Sequence, residues 1–242
     1  MIRLLFFAPY PAMKERLARV LKAHPEAARL EATIVLNTVD QMPEVEAGRY
    51  DVVIARGYTA LKIQKFYPTQ PFIELSISGY DIVQAIARCT EQYHPKKIAI
   101  CGFFSELYEV EEIARLFHVQ AKVYQTKSYT ELDATLRSAK DSGCEAVIGG
   151  YFIAQAAKAL GLHATVIRAG EDNLLRAVNA AVSMADSMRA ERVRAETYKT
   201  IIYTSRDGIL FIDSQGIIQV RNHVIRDMLG GNIGLLYRPL AE

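Results

Sequence analysis

The sequence predicts an α/β fold with two doubly wound lobes of the Rossmann or flavodoxin-like kind, each built on a parallel sheet. Residues 1–168 alternate short apolar runs rich in β-formers with amphipathic stretches of helical period, a pattern typical of strands joined by crossover helices. Runs such as 52–55 and 98–100 are apolar without alternation, as expected for strands covered on both faces. One larger sheet is the alternative.

Eight strands fall into two sets of four, and the second set begins after the helix Gly79–Tyr93, which we expect to cross from the first lobe to the second. The predicted strands are Ile2–Ala8, Glu31–Leu36, Asp51–Ala55, Pro71–Leu75, Lys97–Cys101, Ala121–Gln125, Ala146–Gly149 and Ala164–Arg168. The predicted helices between them are Ala12–Ala23, Ala60–Phe66, Gly79–Tyr93, Glu106–Phe117, Thr130–Ser142 and Ile153–Leu160.

After residue 170 the pattern changes to one long helix, predicted from Glu171 to about Thr200. Apolar residues keep a 4-3-4 spacing over 174–188, which fits either the seam of a dimer or a stripe that packs on the first lobe. Beyond residue 188 the helix turns polar, and two apolar runs joined by Asp213-Ser-Gln-Gly216 predict a hairpin.

We therefore divide the chain into a two-lobed domain, 1–195, and a connector with a short β segment, 196–242. The first lobe takes about 1–80 with part of 171–195, and the second takes about 94–170.

Composition excludes several classes of protein. The 242 residues carry a formal net charge of +2 without a basic run, so direct nucleic-acid binding by this segment is not expected. The apolar start, 1–8, is too short for a membrane span or a secretory signal and is predicted to be a buried strand. Three scattered cysteines are typical of reduced thiols, which predicts a cytoplasmic protein.

Enzyme signatures are missing from the sequence. It lacks the phosphate-binding, dinucleotide-binding and nucleophile-elbow motifs, and its five histidines show no metal-ligand spacing. We expect no metal, no cofactor and no catalytic residue. The alternative is a two-lobed enzyme such as a lyase, or a racemase that would use Cys101 and Cys144 across a cleft. A third alternative is a purely structural dimerisation module.

The candidate ligand residues of the first lobe follow its third and fourth strands, because ligands of open α/β sheets bind beyond the carboxyl ends of strands. Arg56 and Gly57 follow the third strand with Thr59, and an arginine there suits a carboxylate or phosphate. The alternative is an arginine paired with a neighbouring acid. After the fourth strand, Ser76, Ser78 and Tyr80 add hydroxyl donors.

Ser78 and Asp81 also have the spacing of a helix capping box, which explains them without a ligand. In the second lobe, backbone N–H groups near Phe103, Phe104, Gly150 and Tyr151 would face the ligand. For Gly150, a tight turn between strand and helix is the alternative explanation.

Three motifs of these strand ends resemble a known family. They are Arg56-Gly-Tyr-Thr-Ala60, Ser78-Gly-Tyr-Asp81 and Ala146-Val-Ile-Gly-Gly150. In register, they are similar to the N-terminal sensory domain of propionate-catabolism activators, which are sigma-54-dependent transcriptional regulators. The resemblance covers about residues 1–195. The tail from Asp207 resembles the first hairpin of a PAS domain, which often follows this sensor.

The resemblance implies a periplasmic-binding-protein-like sensor that binds a small effector, a carboxylate such as 2-methylcitrate. It also implies a homodimer, with sigma-54 RNA polymerase and DNA as partners through an ATPase and DNA-binding helices outside this sequence. We therefore expect this chain to be part of a longer regulator. Tyr58 stands where the family usually has a second glycine, and 169–171 replace a serine-rich turn.

Overall fold

The first lobe is built on a four-stranded parallel sheet. The computed structural model of the chain describes residues 1–37, 41–103, 110–126 and 128–228. The strands of this sheet are β1 (Ile2–Ala8), β2 (Leu30–Leu36), β3 (Val52–Ala55) and β4 (Phe72–Glu74). Their spatial order is β2-β1-β3-β4, with all pairs parallel.

Helices cover both faces of this sheet, because successive side chains of β1 point to opposite sides. Leu4 and Phe6 pack with the helix α1 (Pro11–Ala23) on one face, and Leu5 and Phe7 pack with α2 (Gly57–Phe66) on the other. The absence of alternation in the sequence thus reflects a sheet that is buried on both sides.

The second lobe repeats this architecture. Its strands are β5 (Lys97–Gly102), β6 (Gln120–Gln125), β7 (Ala146–Gly149) and β8 (His163–Val166), in the parallel order β6-β5-β7-β8. Helices α3 (Gly79–Tyr93) and α4 (Val110–Leu116) pack on one face of the sheet, and α5 (Tyr129–Asp141) and α6 (Tyr151–Ala159) pack on the other. Two separate parallel sheets confirm the predicted fold class.

Helix α3, which was expected to cross between the lobes, lies within the second lobe. Its residues Ile82, Ile86 and Cys89 are buried in one core with Ile98 and Ile100 of β5. The chain therefore passes from the first lobe to the second in the short segment 75–78, ahead of the helix.

The chain returns to the first lobe through the segment 167–170, which leads into α7 (Glu171–Thr204). Leu174, Val178, Ala181 and Ala185 of α7 belong to the core of the first lobe. The apolar stripe of residues 174–185 thus packs on that lobe, whereas Met188 is 48% exposed.

The chain divides into two compact units, 1–185 and 186–242. The second unit contains the end of α7, an antiparallel pair of β9 (Leu210–Ile212) and β10 (Ile218–Arg221), and the helix α8 (His223–Met228). Asp213 shapes the turn of the predicted hairpin, since its Oδ1 accepts hydrogen bonds from the backbone N–H groups of Gln215 and Ile217. None of the helices in the described ranges is long and apolar enough to cross a membrane.

Candidate functional site

A cavity lies between the carboxyl ends of β1 and β3 in the first lobe and those of β5 and β7 in the second. In each sheet these two strands are neighbours from which the chain continues toward opposite edges, and such switch points are where doubly wound sheets bind ligands. The cavity is lined by Phe7, Pro9, Tyr10, Arg56, Gly57, Tyr58, Thr59, Phe103, Gly150, Tyr151, Phe152, Ile153 and Ile167.

Arg56 places a buried guanidinium in this cavity without a partner. The residue precedes α2 in an extended conformation, with φ −135° and ψ 160°. Its two terminal nitrogens, Nη1 and Nη2, are buried, and neither has a hydrogen-bond partner among the described residues. Since a buried donor without a partner is costly, this pair of N–H groups is suited to an acceptor that is supplied from outside the chain.

Burial controls the electrostatics of Arg56. Loss of hydration lowers the pKa of its guanidinium, while the nearby Tyr10, Asp81 and Glu74 raise it by a smaller amount. Burial also raises the pKa of Glu74, and the charge of Arg56 lowers it. No ion pair joins Arg56 to either acid within the described part of the chain, so the alternative of a paired arginine is not what the structure shows.

Tyr10 contributes a second polar group of this kind. Its side chain is 8% exposed, and its hydroxyl is buried without a hydrogen-bond partner among the residues described. Tyr10 and Arg56 both line the cavity. A carboxylate bound here could accept from both terminal nitrogens of the guanidinium and from this hydroxyl.

Two glycines let the backbone take the shape of the site. Gly57 has φ +56°, a left-handed conformation that favours glycine at the start of α2. At Gly149, a Cβ atom would lie 2.6 Å from Cγ2 of Ile153 and 2.8 Å from the carbonyl oxygen of Cys101. Glycine therefore allows β7 to approach both β5 and α6 just before Gly150, the N-cap of α6.

Aromatic rings meet across the cavity and join the two lobes. The ring centroid of Tyr58 lies 5.2 Å from that of Phe103 and 6.0 Å from that of Tyr129. The rings of Tyr10 and Tyr151 lie 5.7 Å apart. All three pairs are tilted by 35–37°, within the range of favourable aromatic contacts, each worth about 0.5–1.5 kcal/mol.

Six of the ten predicted ligand residues line this cavity: Arg56, Gly57, Thr59, Phe103, Gly150 and Tyr151. Phe104 lies outside the described residues. The other three, Ser76, Ser78 and Tyr80, are not brought to it. The reason is topological, since β4 is an edge strand and its carboxyl end lies beyond the switch point between β1 and β3.

Ser76 and Ser78 instead line a groove between β4 and α7, together with Glu74, Asp172 and Arg176. Tyr80 is 68% exposed in the first turn of α3.

Asp81 ties together the two segments that connect the lobes. It is 1% exposed. Its Oδ1 accepts a 2.9 Å hydrogen bond from the N–H of Gly170, and its Oδ2 accepts from the N–H of Ser78 at 3.1 Å and from Nδ2 of Asn173 at 3.0 Å. Asn173 Nδ2 also donates to the carbonyl of Ser76 at 2.6 Å. The predicted capping box of Ser78 and Asp81 is present, and the same carboxylate also holds the return segment.

Sequence reasoning missed Tyr10 and most of the aromatic wall. Tyr10 follows the carboxyl end of β1, so the strand-end rule that singled out Arg56 would have found it. Phe152 and Ile153 lie on the first turn of α6, and Ile167 lies in the return segment. No local motif marks these three residues.

The cysteines of the racemase alternative are not suited to catalysis. Cys101 is fully buried, and burial raises the pKa of its thiol to about 12. Cys144 is 3% exposed, and burial raises its pKa as well. Thiols of this kind stay protonated near neutral pH and are poor nucleophiles and bases. Among the described residues, no cluster of His, Cys, Asp and Glu could hold a metal ion.

Several solved structures are similar to the chain to different degrees. An NtrC family transcriptional regulator from Clostridium acetobutylicum superposes with a TM-score of 0.61 at 18% identity, over 77% of this chain and 98% of that chain. The transcription regulator CcpA of Lactococcus lactis gives 0.41 at 11% identity, over 77% and 92%. A periplasmic ribose ABC transporter from Conexibacter woesei gives 0.33 at 16% identity, over 66% and 67%. At 18% identity, the superposition on the NtrC family regulator shows a shared fold.

No well-characterised protein sequence matches the chain significantly. Residues 26–191 match the family model described as propionate catabolism activator. This match spans both lobes and more than half of the chain. The chain therefore belongs to the propionate catabolism activator family, as a sensory domain of a transcriptional activator.

Proposed function

We propose that this sensory domain binds a small carboxylate effector in the cavity between its lobes, with Arg56 as the charge partner. One observation carries the proposal: both terminal nitrogens of the Arg56 guanidinium are buried and lack a partner among the described residues. A carboxylate supplies two acceptor oxygens in the geometry of these two donors. Unsatisfied buried groups of this kind commonly belong to a functional site.

Five further predicted contacts are consistent with this position. Thr59 and the backbone of Gly57 lie beside Arg56 on the first lobe, and Phe103, Gly150 and Tyr151 approach from the second lobe. Because the contacts come from both lobes, the effector would bind the arrangement in which the lobes meet more tightly than an open one. The effector would shift the equilibrium between the two arrangements only by this difference in affinity.

The output of the domain is proposed to run through α7. The helix begins at the return segment, packs its residues 174–185 on the first lobe and continues to Thr204. From the resemblance to propionate-catabolism activators, we propose that occupancy of the cavity controls an ATPase that acts on sigma-54 RNA polymerase at DNA. A homodimer, a PAS domain after Asp207 and a cytoplasmic location belong to the same proposal.

The alternative function is catalysis by a two-lobed enzyme. A cysteine-based racemase would need thiolates at the cavity, but neither Cys101 nor Cys144 lines it. The raised pKa of both thiols also disfavours that chemistry. The observations on these residues therefore favour the sensor.

The proposal is tested by differential scanning fluorimetry of the full chain with a panel of acetate, benzoate, succinate, citrate and 2-methylcitrate. An acid at about 100 times its Kd stabilises the folded state by about 2.7 kcal/mol, which raises Tm by about 5–10 °C for a domain of this size. We expect at least one such shift in the wild type and none in Arg56→Met. If no acid gives a shift that depends on Arg56, the cavity is not the effector site. Turnover of the bound acid would favour the enzyme.

A further inference from the structure

The wall of the cavity carries a single ionised side chain within the described residues. Of the thirteen lining residues, only Arg56 bears a charge, and six are aromatic: Phe7, Tyr10, Tyr58, Phe103, Tyr151 and Phe152. Pro9, Ile153 and Ile167 add further apolar surface. The described lining can therefore bind one negative charge, and the surface around that position is mostly apolar.

This distribution of charge restricts the number of ionised groups on the ligand. A guanidinium whose two terminal nitrogens are free can neutralise one carboxylate. A second or third carboxylate would lose hydration against rings without meeting a cation of the described lining, and burial of an unpaired charge is strongly unfavourable. An ammonium group would likewise meet no carboxylate of the described lining, since neither Glu74 nor Asp81 lines the cavity.

The aromatic wall restricts the body of the ligand. Tyr58 and Phe103 come from different lobes with tilted rings, as do Tyr10 and Tyr151. A flat or branched apolar body packed against such rings exchanges water for ring contacts and is favoured, whereas a body rich in hydroxyl groups would leave donors without partners.

The size of the cavity also restricts the ligand. The space open to the centre of a water molecule is about 50 Å³. One water needs about 10–15 Å³ of such space, so this arrangement of the lobes favours a compact acid.

From these observations we infer that the effector is a compact monocarboxylate with an aromatic or branched apolar body and no second charged group. The inference rests on the proposed function, since it names the class of acid for the same cavity. In this class the carboxylate lies on Arg56 and the apolar body packs against the aromatic rings of the cavity wall.

Matched ligands measured by isothermal titration calorimetry on the full chain test the inference. Benzoate is compared with benzamide, which has the same shape without the charge, and with acetate, which has the charge without the apolar body. Citrate, 2-methylcitrate and phenylalanine supply additional charges. We expect benzoate to bind and each of the other compounds to bind at least about 100-fold more weakly, as expected from the cost of an unpaired buried charge or a lost apolar body.

Three variants locate the binding. Arg56→Met abolishes benzoate binding, and Arg56→Lys, which keeps the charge without the paired donors, weakens it about 10-fold or more. Tyr58→Leu keeps an apolar side chain but loses the ring contacts, which raises the Kd of benzoate about 3- to 10-fold. Circular dichroism verifies that each variant is folded.

The measurements distinguish an error in the ligand class from an error in the role of Arg56. If citrate or 2-methylcitrate binds as tightly as benzoate in a manner that depends on Arg56, the inferred ligand class is wrong while the proposed function stands. If benzamide equals benzoate, or if no compound depends on Arg56, then the role of Arg56 is wrong and the proposed function fails with it.

Discussion

Replacement of Asp81 by asparagine is predicted to destabilise the two-lobed unit strongly. The carboxylate is 1% exposed and accepts three hydrogen bonds, from Ser78, Gly170 and Asn173. An asparagine has one oxygen, so in either orientation its amino group faces a donor that was previously bound. In the better orientation the bond from Gly170 is lost and the other two become bonds to a neutral acceptor.

The expected decrease in stability follows from these three hydrogen bonds. A hydrogen bond to a charged group contributes about 1.5–3 kcal/mol and one between neutral groups about 0.5–1.5 kcal/mol. One lost bond and two bonds weakened by about 1–1.5 kcal/mol each give a decrease of about 3.5–6 kcal/mol in the free energy of unfolding. For a unit of this size, such a decrease corresponds to a fall of about 7–24 °C in Tm.

Urea denaturation followed by circular dichroism measures the change, with Asp133→Asn as the matched control. Asp133 is 64% exposed and pairs along the surface of α5 with Arg137, so the control is expected to unfold with the wild type. Asn173→Ala removes one of the same bonds, so its effect and that of Asp81→Asn should not add. A change below about 0.5 kcal/mol in Asp81→Asn would show that this carboxylate does not hold the connecting segments.

Two further predictions concern buried ionisable groups. Arg56→Met removes a buried charge without a partner and should raise the free energy of unfolding of the ligand-free protein by about 1–3 kcal/mol; lower stability in urea denaturation would contradict the burial of an unpaired guanidinium. For Cys101, burial raises the pKa of the folded-state thiol from 9.0 to about 12, so the unfolded state loses its proton first. Stability present below pH 9 is then lost as the pH rises toward 12, more steeply in the wild type than in Cys101→Ala. Equal slopes would refute this assignment.

Much of the fold could be predicted from the sequence because each strand carries its own signal. The bounds of β1, β7 and α3 agree with their predicted ranges to the residue. Helix α2 begins at Gly57, three residues before its predicted start at Ala60. The apolar pattern that marks the helix begins only at Ala60, whereas the left-handed Gly57 opens the first turn.

The placement of α3 shows the limit of such patterns. Its amphipathic period predicts a helix, but Ile82 and Ile86 could have faced either sheet, because periodicity defines an apolar face without naming what covers it. Only packing against Ile98 and Ile100 assigns the helix to the second lobe.

The candidate site, like the fold, could be predicted from the sequence only in part. The sequence by itself determined that strands alternate with helices and that an arginine beside a glycine follows a strand, since hydrophobic period and turn chemistry are local properties. Only the tertiary structure decided which strand ends meet. Strand order is set by long-range pairing, and it placed Arg56 opposite Tyr151 while leaving Ser76 on a different groove.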